Sequence, residues 1–195
     1  MRNDGRVTDT EPQSILQSLD SDHRAISGLL ADPDAPTATA QGAALREQLV
    51  MALVRHFVAE EQYLDPTVRE VLPERADEAD AAFTRDRDTE QLLRRLEERD
   101  LSMQRLAEVW QEVRSAVASH VADQQGLFAA LAEKCDPDRL NQLGEEVRGA
   151  EQVAPTRPRM VAFPEPGLNK LTSFVEGYID HARDYYSKRG VEPEA

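Results

Sequence analysis

Long runs in which apolar residues recur at intervals of three and four occupy most of this chain. They span about residues 10–31, 41–64, 77–98 and 101–133. Such spacing places the apolar side chains on one face of an α-helix, so each run predicts an amphipathic helix. Because the connections between these long helices are short, consecutive helices are expected to be antiparallel neighbours. The sequence therefore predicts an all-α fold, an up-down-up-down four-helix bundle.

The rest of the chain is predicted to add a tail at each end of this bundle. Residues 1–9 are expected to be disordered, and the bundle to occupy residues 10–150, with Thr10 capping its first helix. Four prolines mark residues 151–166 as an extended linker. Residues 167–195 predict a further amphipathic helix and tail, which would pack on the bundle or on a second copy of the chain, as a homo-oligomer.

The net charge of −14 restricts the partners of this chain. Nucleic acids and anionic membranes both bind basic surfaces, so neither is expected as a main partner. The start of the chain has no apolar segment of the kind found in secretory signals, and no run approaches the length of a membrane span. A single cysteine, Cys135, cannot form an internal disulfide, which suits a reducing cytoplasm.

Polar residues interrupt the apolar faces at related positions in the two halves of the bundle. The segment "HFVAEEQYL" begins at His56, and the segment "HVADQQGLF" begins at His120. Their alignment places Glu60 opposite Gln124. In the first and third helices, alignment of the leucine pairs in "DHRAISGLL" and "RDRDTEQLL" places His23 opposite Asp86. Two helical hairpins are therefore predicted to carry related polar residues at matching depths.

The position of these residues on the apolar faces predicts a polar layer inside the bundle. Residues four apart point the same way on a helix, so His56 and Glu60 share a face, whereas Glu61 would point to solvent or to a neighbouring helix. Burial of many polar groups without partners would cost several kcal/mol, at about 1–3 kcal/mol for each group. A metal ion that accepts lone pairs from imidazoles and carboxylates would remove this cost. The predicted layer contains His23, His56, Glu60, Asp86, His120 and Gln124.

A single histidine on a helix face is more often held by a hydrogen bond than by a metal ion. Three of the four histidines in this chain, however, lie at repeat-related positions on apolar faces. The fourth, His181, follows Asp180 in the predicted terminal helix and is expected at the surface.

These residues and their spacing resemble hemerythrin-like proteins with HHE cation-binding domains. In that family a histidine on the first helix and a His-x-x-x-Glu pair on the second are repeated on helices three and four. His23, "HFVAEEQYLDP" and "HVADQQGLF" match this pattern, and the "VAPTRP" stretch resembles one that precedes a terminal helix in bacterial members. The resemblance covers about residues 12–189. It implies a bundle around a non-haem iron site, often di-iron, that binds dioxygen, responds to oxygen, nitric oxide or iron, or decomposes peroxide.

Two positions depart from the family pattern. Asp86 replaces the histidine of the third helix, and Gln124 replaces the glutamate of the fourth. Asp86 can still bind a metal, but a neutral amide is a poor iron ligand and cannot act as a bridging carboxylate. The resemblance therefore implies one iron ion rather than two. Its ligands would be His23, His56, Glu60 and His120, with Asp86 as an auxiliary ligand.

Two alternatives to this metal-binding function remain open at the level of sequence. The first is a family member that has lost its metal and acts as a helical interaction or stress-response module. The second is a ferritin-like di-iron oxidase, which is disfavoured because the Glu-x-x-His spacing of such proteins is absent from this sequence. No residue outside the ligand set indicates a catalytic acid or base, so an enzymatic role is not expected beyond peroxide decomposition at the metal.

Overall fold

A computed structural model describes residues 13–98, 100–158, 180, 184 and 189–191 of the chain. The described residues form helices and their connections, with no strand among them, which confirms the all-α class. The helices are α1 (Ile15–Ala31), α2 (Ala40–Ala59), a π-helix (Glu60–Leu64), α3 (Asp65–Val71), a 3-10 turn (Pro73–Arg75), α4 (Ala76–Leu96), α5 (Met103–Lys134) and α6 (Pro137–Glu151).

The first helix begins later than the sequence predicts. Ser14, rather than Thr10, is its N-cap, and Ile15 is its first residue. The Ser14 hydroxyl accepts a hydrogen bond from the backbone amide of Gln17, and the Gln17 side chain accepts one from the Ser14 amide. This reciprocal pair satisfies two of the amide groups that a helix start leaves open. The prediction of Thr10 as the cap was therefore wrong by four residues.

The second predicted helix does not end at Leu64. It continues from α2 through the π-helix Glu60–Leu64 into α3, and Pro66 lies in the first turn of α3. A proline ring inside an α-helix presses on the carbonyl group four residues earlier, here that of Gln62. The wider π turn, which contains Gln62, gives the chain room for this ring without breaking the helix.

The helices pack around two hydrophobic clusters. Helix α1 contacts α2 and α5, and α4 also contacts α2 and α5. Helix α6 is 15 residues long and packs on α1 and α2. One cluster contains Leu49, Leu53 and Trp110, and the other contains Leu19 and Leu131. The predicted third and fourth helices agree with α4 and α5 to within two residues at each end.

Described residues near the C-terminus contact the helical part of the same chain. The Thr156 amide donates to Asp180 Oδ2 over 3.1 Å. The Gly190 amide donates to Glu47 Oε2 on α2 over 2.7 Å, and the Arg189 guanidinium pairs with Glu97. These contacts place part of the predicted terminal segment against α2 and the end of α4 in the same chain. Residues 1–9, His181 and most of residues 159–195 lie outside the described residues.

Within the described part of the chain, no helix combines the length and the apolar content needed to cross a membrane.

The packing of α6 against the start of α1 yields a stability prediction. A Cβ atom at Gly144 would lie 2.0 Å from the Gln13 carbonyl oxygen and 2.8 Å from the Ser14 carbonyl carbon. We expect Gly144→Ala to lower the free energy of unfolding by about 1–3 kcal/mol, because backbone atoms must move apart. Chemical denaturation measures this change.

Gly149 on the same helix provides the control, because a Cβ atom there meets nothing within 4 Å. Gly149→Ala is expected to raise the free energy of unfolding by about 0.5–1 kcal/mol through helix propensity. Equal effects of the two substitutions would contradict the close packing of α6 on α1.

Candidate metal centre

The two hydrophobic clusters are separated by the polar layer that the sequence predicts. On α1, for example, Leu19 belongs to one cluster and Ile26 to the other, with His23 between them. On α5, Val117 and Leu127 likewise belong to different clusters, and His120 lies between them. All six side chains of the predicted layer are buried, with between 1% and 9% of their surface exposed: His23, His56, Glu60, Asp86, His120 and Gln124.

Four of these side chains converge on one point. His23, His56, Glu60 and His120 each offer one ligand atom, and these atoms lie within 4.8 Å of one another. His56 Nε2 lies 3.0 Å from His23 Nε2 and 3.1 Å from His120 Nε2. Glu60 Oε1 lies 2.8 Å from His56 Nε2 and 3.3 Å from His120 Nε2. The group thus presents three imidazole nitrogens and one carboxylate oxygen from α1, α2, the π-helix and α5.

The other ring nitrogens of two of these histidines face carboxylates. His56 Nδ1 lies 3.3 Å from Asp22 Oδ2, and His120 Nδ1 lies 2.9 Å from Asp86 Oδ1. Because an ionised carboxylate only accepts hydrogen bonds, Nδ1 carries the proton in both rings. The lone pairs of a neutral His56 and a neutral His120 therefore lie on Nε2 and point into the cluster. Carboxylates orient metal-binding histidines in the same way in many metalloproteins.

The spacing and chemistry of the four donors fit one metal ion. Zinc, as an example of a first-row metal, binds imidazole nitrogen at about 2.0–2.1 Å, so neighbouring ligand atoms lie about 3 Å apart. Four of the six distances between these atoms, from 2.8 to 3.3 Å, match this requirement, and the other two are no longer than 4.8 Å. Glu60 Oε2 and Gln124 Oε1 are also buried without a hydrogen-bond partner among the described residues. Both oxygen atoms can accept a cation. Without a metal ion, the only positive charge inside the buried cluster comes from protons.

The pKa values within the cluster show how strongly it attracts positive charge. Burial alone would lower the pKa of His56, but Glu60 and Asp22 outweigh it and raise the pKa to about 9. Burial is likewise outweighed at His120, where Glu60 and Asp86 raise the pKa to about 11. Burial and the neighbouring His56 lower the pKa of His23 to about 4. Protons on His56 and His120 therefore occupy this cluster at neutral pH when no metal ion competes for it.

The structure places Asp86 outside the four converging donors. Its Oδ1 accepts the hydrogen bond from His120 Nδ1, so it supports a candidate ligand from the side that faces away from the cluster. Asp22 supports His56 in the same way, through His56 Nδ1. The sequence interpretation missed Asp22, although a signal was present. Asp22 precedes His56 by 34 residues, and Asp86 precedes His120 by the same 34 residues.

This spacing corrects the internal repeat by one residue. Between the two halves, His56 and His120 are 64 residues apart, as are Glu60 and Gln124. Asp22 and Asp86 have the same separation in the numbering of the chain. Asp86 thus corresponds to Asp22, and the alignment of leucine pairs that matched it with His23 was wrong.

With the corrected repeat, Arg87 corresponds to His23. Its guanidinium group donates to both carboxylate oxygens of Glu61, over 3.0 and 3.1 Å. It also donates to Glu90 over 3.2 Å and lies 4.9 Å from the centre of the Phe83 ring. Glu61 therefore faces a neighbouring helix, one of the two directions that the sequence predicts. The second half of the repeat offers a fixed cation where the first half offers an imidazole.

The π-helix begins at a candidate ligand. Glu60 is its first residue, and four of its five residues are buried. Short π segments often occur where a helix must direct adjacent side chains to a functional site. Here Glu60 reaches the histidines while Glu61, the next residue, reaches Arg87. The sequence analysis did not predict this π-helix.

Two aromatic rings cover the histidines from opposite hydrophobic clusters. The Phe128 ring stacks on His23 at a centroid distance of 5.9 Å, and the Phe57 ring meets His120 edge-on at 5.5 Å. Each contact packs an aromatic ring against an imidazole of the cluster.

The Asp86 carboxylate is expected to tune metal affinity through His120 without binding the metal. Asp86→Asn should weaken Co²⁺ binding by about tenfold, because a neutral amide makes the imidazole less basic. A titration against a competing chelator measures this affinity. Asp22→Asn should act similarly through His56, whereas Asp77→Asn, at an exposed position of α4, should have no effect. Unchanged affinity in both buried variants would contradict this role.

Glu151 at the end of α6 gives a prediction about pH. Burial, together with the charge and hydrogen bond of Asp22, raises the pKa of Glu151 to about 7. A carboxyl group whose pKa is raised on folding favours the folded state at low pH, and this contribution disappears as pH rises through the folded pKa.

Glu151→Gln is therefore expected to stabilise the metal-free protein relative to wild type at pH 8 but not at pH 4.5. The expected difference is about 1–2 kcal/mol, because partial exposure of Glu151 screens the interaction. Urea unfolding at the two pH values measures it. Glu145→Gln, at an exposed position of α6, is the control. An equal effect of Glu151→Gln at both pH values would contradict the raised pKa.

Comparisons of the chain with protein-family models, with curated proteins and with solved structures found no match. The geometry alone therefore characterises the site: three imidazoles and one carboxylate form a buried group that can hold a metal ion.

Proposed function

We propose that this protein is a hemerythrin-like metal-binding protein that holds one iron ion. The observation that carries this proposal is the convergence of His23, His56, Glu60 and His120, whose ligand atoms lie within 4.8 Å of one another. Imidazole and carboxylate ligands suit iron among other first-row metals, and the resemblance of the sequence to HHE-domain proteins favours iron.

The helix contacts support the bundle that this family resemblance implies. Helices α1, α2, α4 and α5 each contact two of the others, in the cyclic order α1, α2, α4, α5. The candidate ligands lie on three members of this ring and on the π-helix that extends α2. A four-helix bundle with up-down-up-down topology is the simplest arrangement with these contacts.

Arg87 supports one ion rather than two. A second ion of the kind implied by the resemblance would need donors from the second half of the repeat. That half supplies an arginine in place of His23 and an amide in place of Glu60. The Gln124 amide donates a hydrogen bond to Glu60 Oε1 instead of offering a negative charge. The guanidinium of Arg87 already neutralises Glu61.

Bound iron would supply an open coordination position for dioxygen, nitric oxide or peroxide, as the resemblance implies. The residues of the chain would prepare this position. Asp22 and Asp86 hold two imidazoles in the ligating tautomer, and Phe57 and Phe128 pack against the rings of His120 and His23. We propose a role in sensing or handling such small ligands in the cytoplasm, with no nucleic-acid or membrane partner.

A metal-free interaction or stress-response module is the second candidate. The observation that favours it is the hydrogen bond from Gln124 to Glu60 Oε1, together with the raised pKa values of His56 and His120. Protons and an amide would then satisfy Glu60 in place of an ion. In this case the polar layer would serve only to fix the packing of the helices.

Elemental analysis of protein purified from iron-supplemented cells, with its ultraviolet-visible spectrum, tests the proposal. We expect about one iron per chain, because only one set of converging donors exists among the described residues. Two irons per chain with oxo-to-iron charge-transfer bands would contradict the single ion. Absence of any stoichiometric metal would favour the metal-free module.

Two adjacent substitutions sharpen this test. Glu60→Gln should remove the bound iron, because it replaces the sole anionic donor of the cluster by a neutral amide. Glu61→Gln should retain it, since Glu61 pairs with Arg87 and is not a member of the cluster. Equal iron content in the two variants would contradict the assignment of Glu60 as a ligand.

A further inference from the structure

A groove between α4 and α5 reaches the candidate metal centre from the surface. It contains a cavity of about 500 Å³ and a second of about 210 Å³, and His120 lines both. His120 is one of the four converging donors, and 6% of its surface is exposed. His23 is equally exposed but lines neither cavity, and His56 and Glu60 are only 1% and 2% exposed. The edge of the cluster formed by His120 is therefore open to this groove.

Small side chains on α5 keep this groove open. Ser115, Ala116 and Ser119 line the larger cavity on the side of α5 that leads to His120. Larger side chains at these positions would fill the space between the two helices. The groove therefore depends on three residues that contribute little to the hydrophobic clusters.

Acidic side chains dominate the charge of the groove lining. Five carboxylates line the two cavities, and Arg85 and His120 are the basic side chains among the lining residues. Four of the five have a basic partner: Glu78 pairs with Arg75, Glu112 with Arg95, Asp123 with Arg85, and Asp86 with His120. The chain as a whole has a charge of −14. A cleft lined mainly by one sign of charge raises the local concentration of ions of the opposite sign. The acidic lining residues are Glu78, Asp86, Asp88, Glu112 and Asp123.

One ion pair crosses the smaller cavity. Arg85 on α4 lies 3.2 Å from Asp123 on α5, and both side chains line the smaller cavity. Their side chains are 45% and 48% exposed. An ion pair so exposed contributes little to stability and exchanges readily with solvent. It can therefore open without disturbing the packed helices.

We propose that this groove is the path by which a divalent metal ion reaches His120 and the other donors from solvent. The carboxylates of the lining attract the ion, and the Arg85–Asp123 ion pair opens to let it pass. His120 is the first ligand that the ion contacts. This inference rests on the proposed function, because it requires that the cluster binds a metal ion.

Two matched substitutions on α5 test the path in the metal-free protein. Ala116 lines the groove, whereas Ala118 is exposed on α5 and lines neither cavity. Stopped-flow absorption follows the uptake of Co²⁺ by each variant. Ala116→Trp should slow uptake by about tenfold, because the indole fills the path to the ligands. Ala118→Trp should take up Co²⁺ at the wild-type rate.

Ser119→Trp provides a second obstruction. Ser119 is exposed, so an indole at this position does not disturb the core if Ala116→Trp fails to fold. It should also slow Co²⁺ uptake while leaving the final Co²⁺ content unchanged. Uptake of Co²⁺ by both Ser119→Trp and Ala116→Trp at the wild-type rate overturns the path.

The charge of the lining gives an independent measurement. Asp88→Asn removes one carboxylate from the larger cavity and should slow Co²⁺ uptake about twofold at low salt. This difference should shrink as ionic strength rises, because salt screens the carboxylate. An uptake rate that depends on neither Asp88 nor salt overturns the electrostatic part of the proposal.

The final Co²⁺ content separates this inference from the proposed function. If wild-type protein takes up Co²⁺ but the indole variants do so equally fast, the groove is not the path, and the metal site stands. If wild-type protein takes up no Co²⁺, iron or other divalent ion, the metal site fails and the path fails with it.

Discussion

The meeting of three imidazole nitrogens and one carboxylate oxygen inside the helices is the interaction on which the rest of this structure depends. His23, His56, Glu60 and His120 interrupt what would otherwise be a single hydrophobic core. Polar groups buried in this way cost free energy unless something satisfies their lone pairs. A metal ion or a set of shared protons must do so, and each helix that contributes a donor is thereby fixed in register with the others.

A second set of contacts fixes the orientation of two histidine rings in the cluster. Asp22 and Asp86 accept the Nδ1 protons of His56 and His120, so that the opposite nitrogens face one another across 3.1 Å. The duplicated spacing of 34 residues makes this support symmetrical. The symmetry ends at Arg87, which occupies the position related to His23. One half of the structure thus offers ligands, and the other offers a permanent positive charge.

Much of the fold and part of the site could be predicted because helices and polar layers leave periodic patterns. The apolar spacing located α4 and α5, and the departures from it identified six buried polar residues. The pattern did not reveal Asp22, whose role depends on a register between helices that differs by one residue from the alignment of leucines. It also did not distinguish Thr10 from Ser14 as a cap, since both precede a glutamine by three residues. The π-helix follows from tertiary packing around Glu60 and Pro66, which local propensity does not encode.

X-ray absorption spectroscopy of the iron-loaded protein tests the central claim most directly. The donor set predicts a shell of nitrogen and oxygen atoms at about 2.1 Å, outer-shell scattering from three imidazole rings, and no neighbouring iron. Such a spectrum would support a single ion held by His23, His56, Glu60 and His120. A spectrum without imidazole scattering, or one with an iron–iron distance of about 3.5–4 Å, would contradict the account.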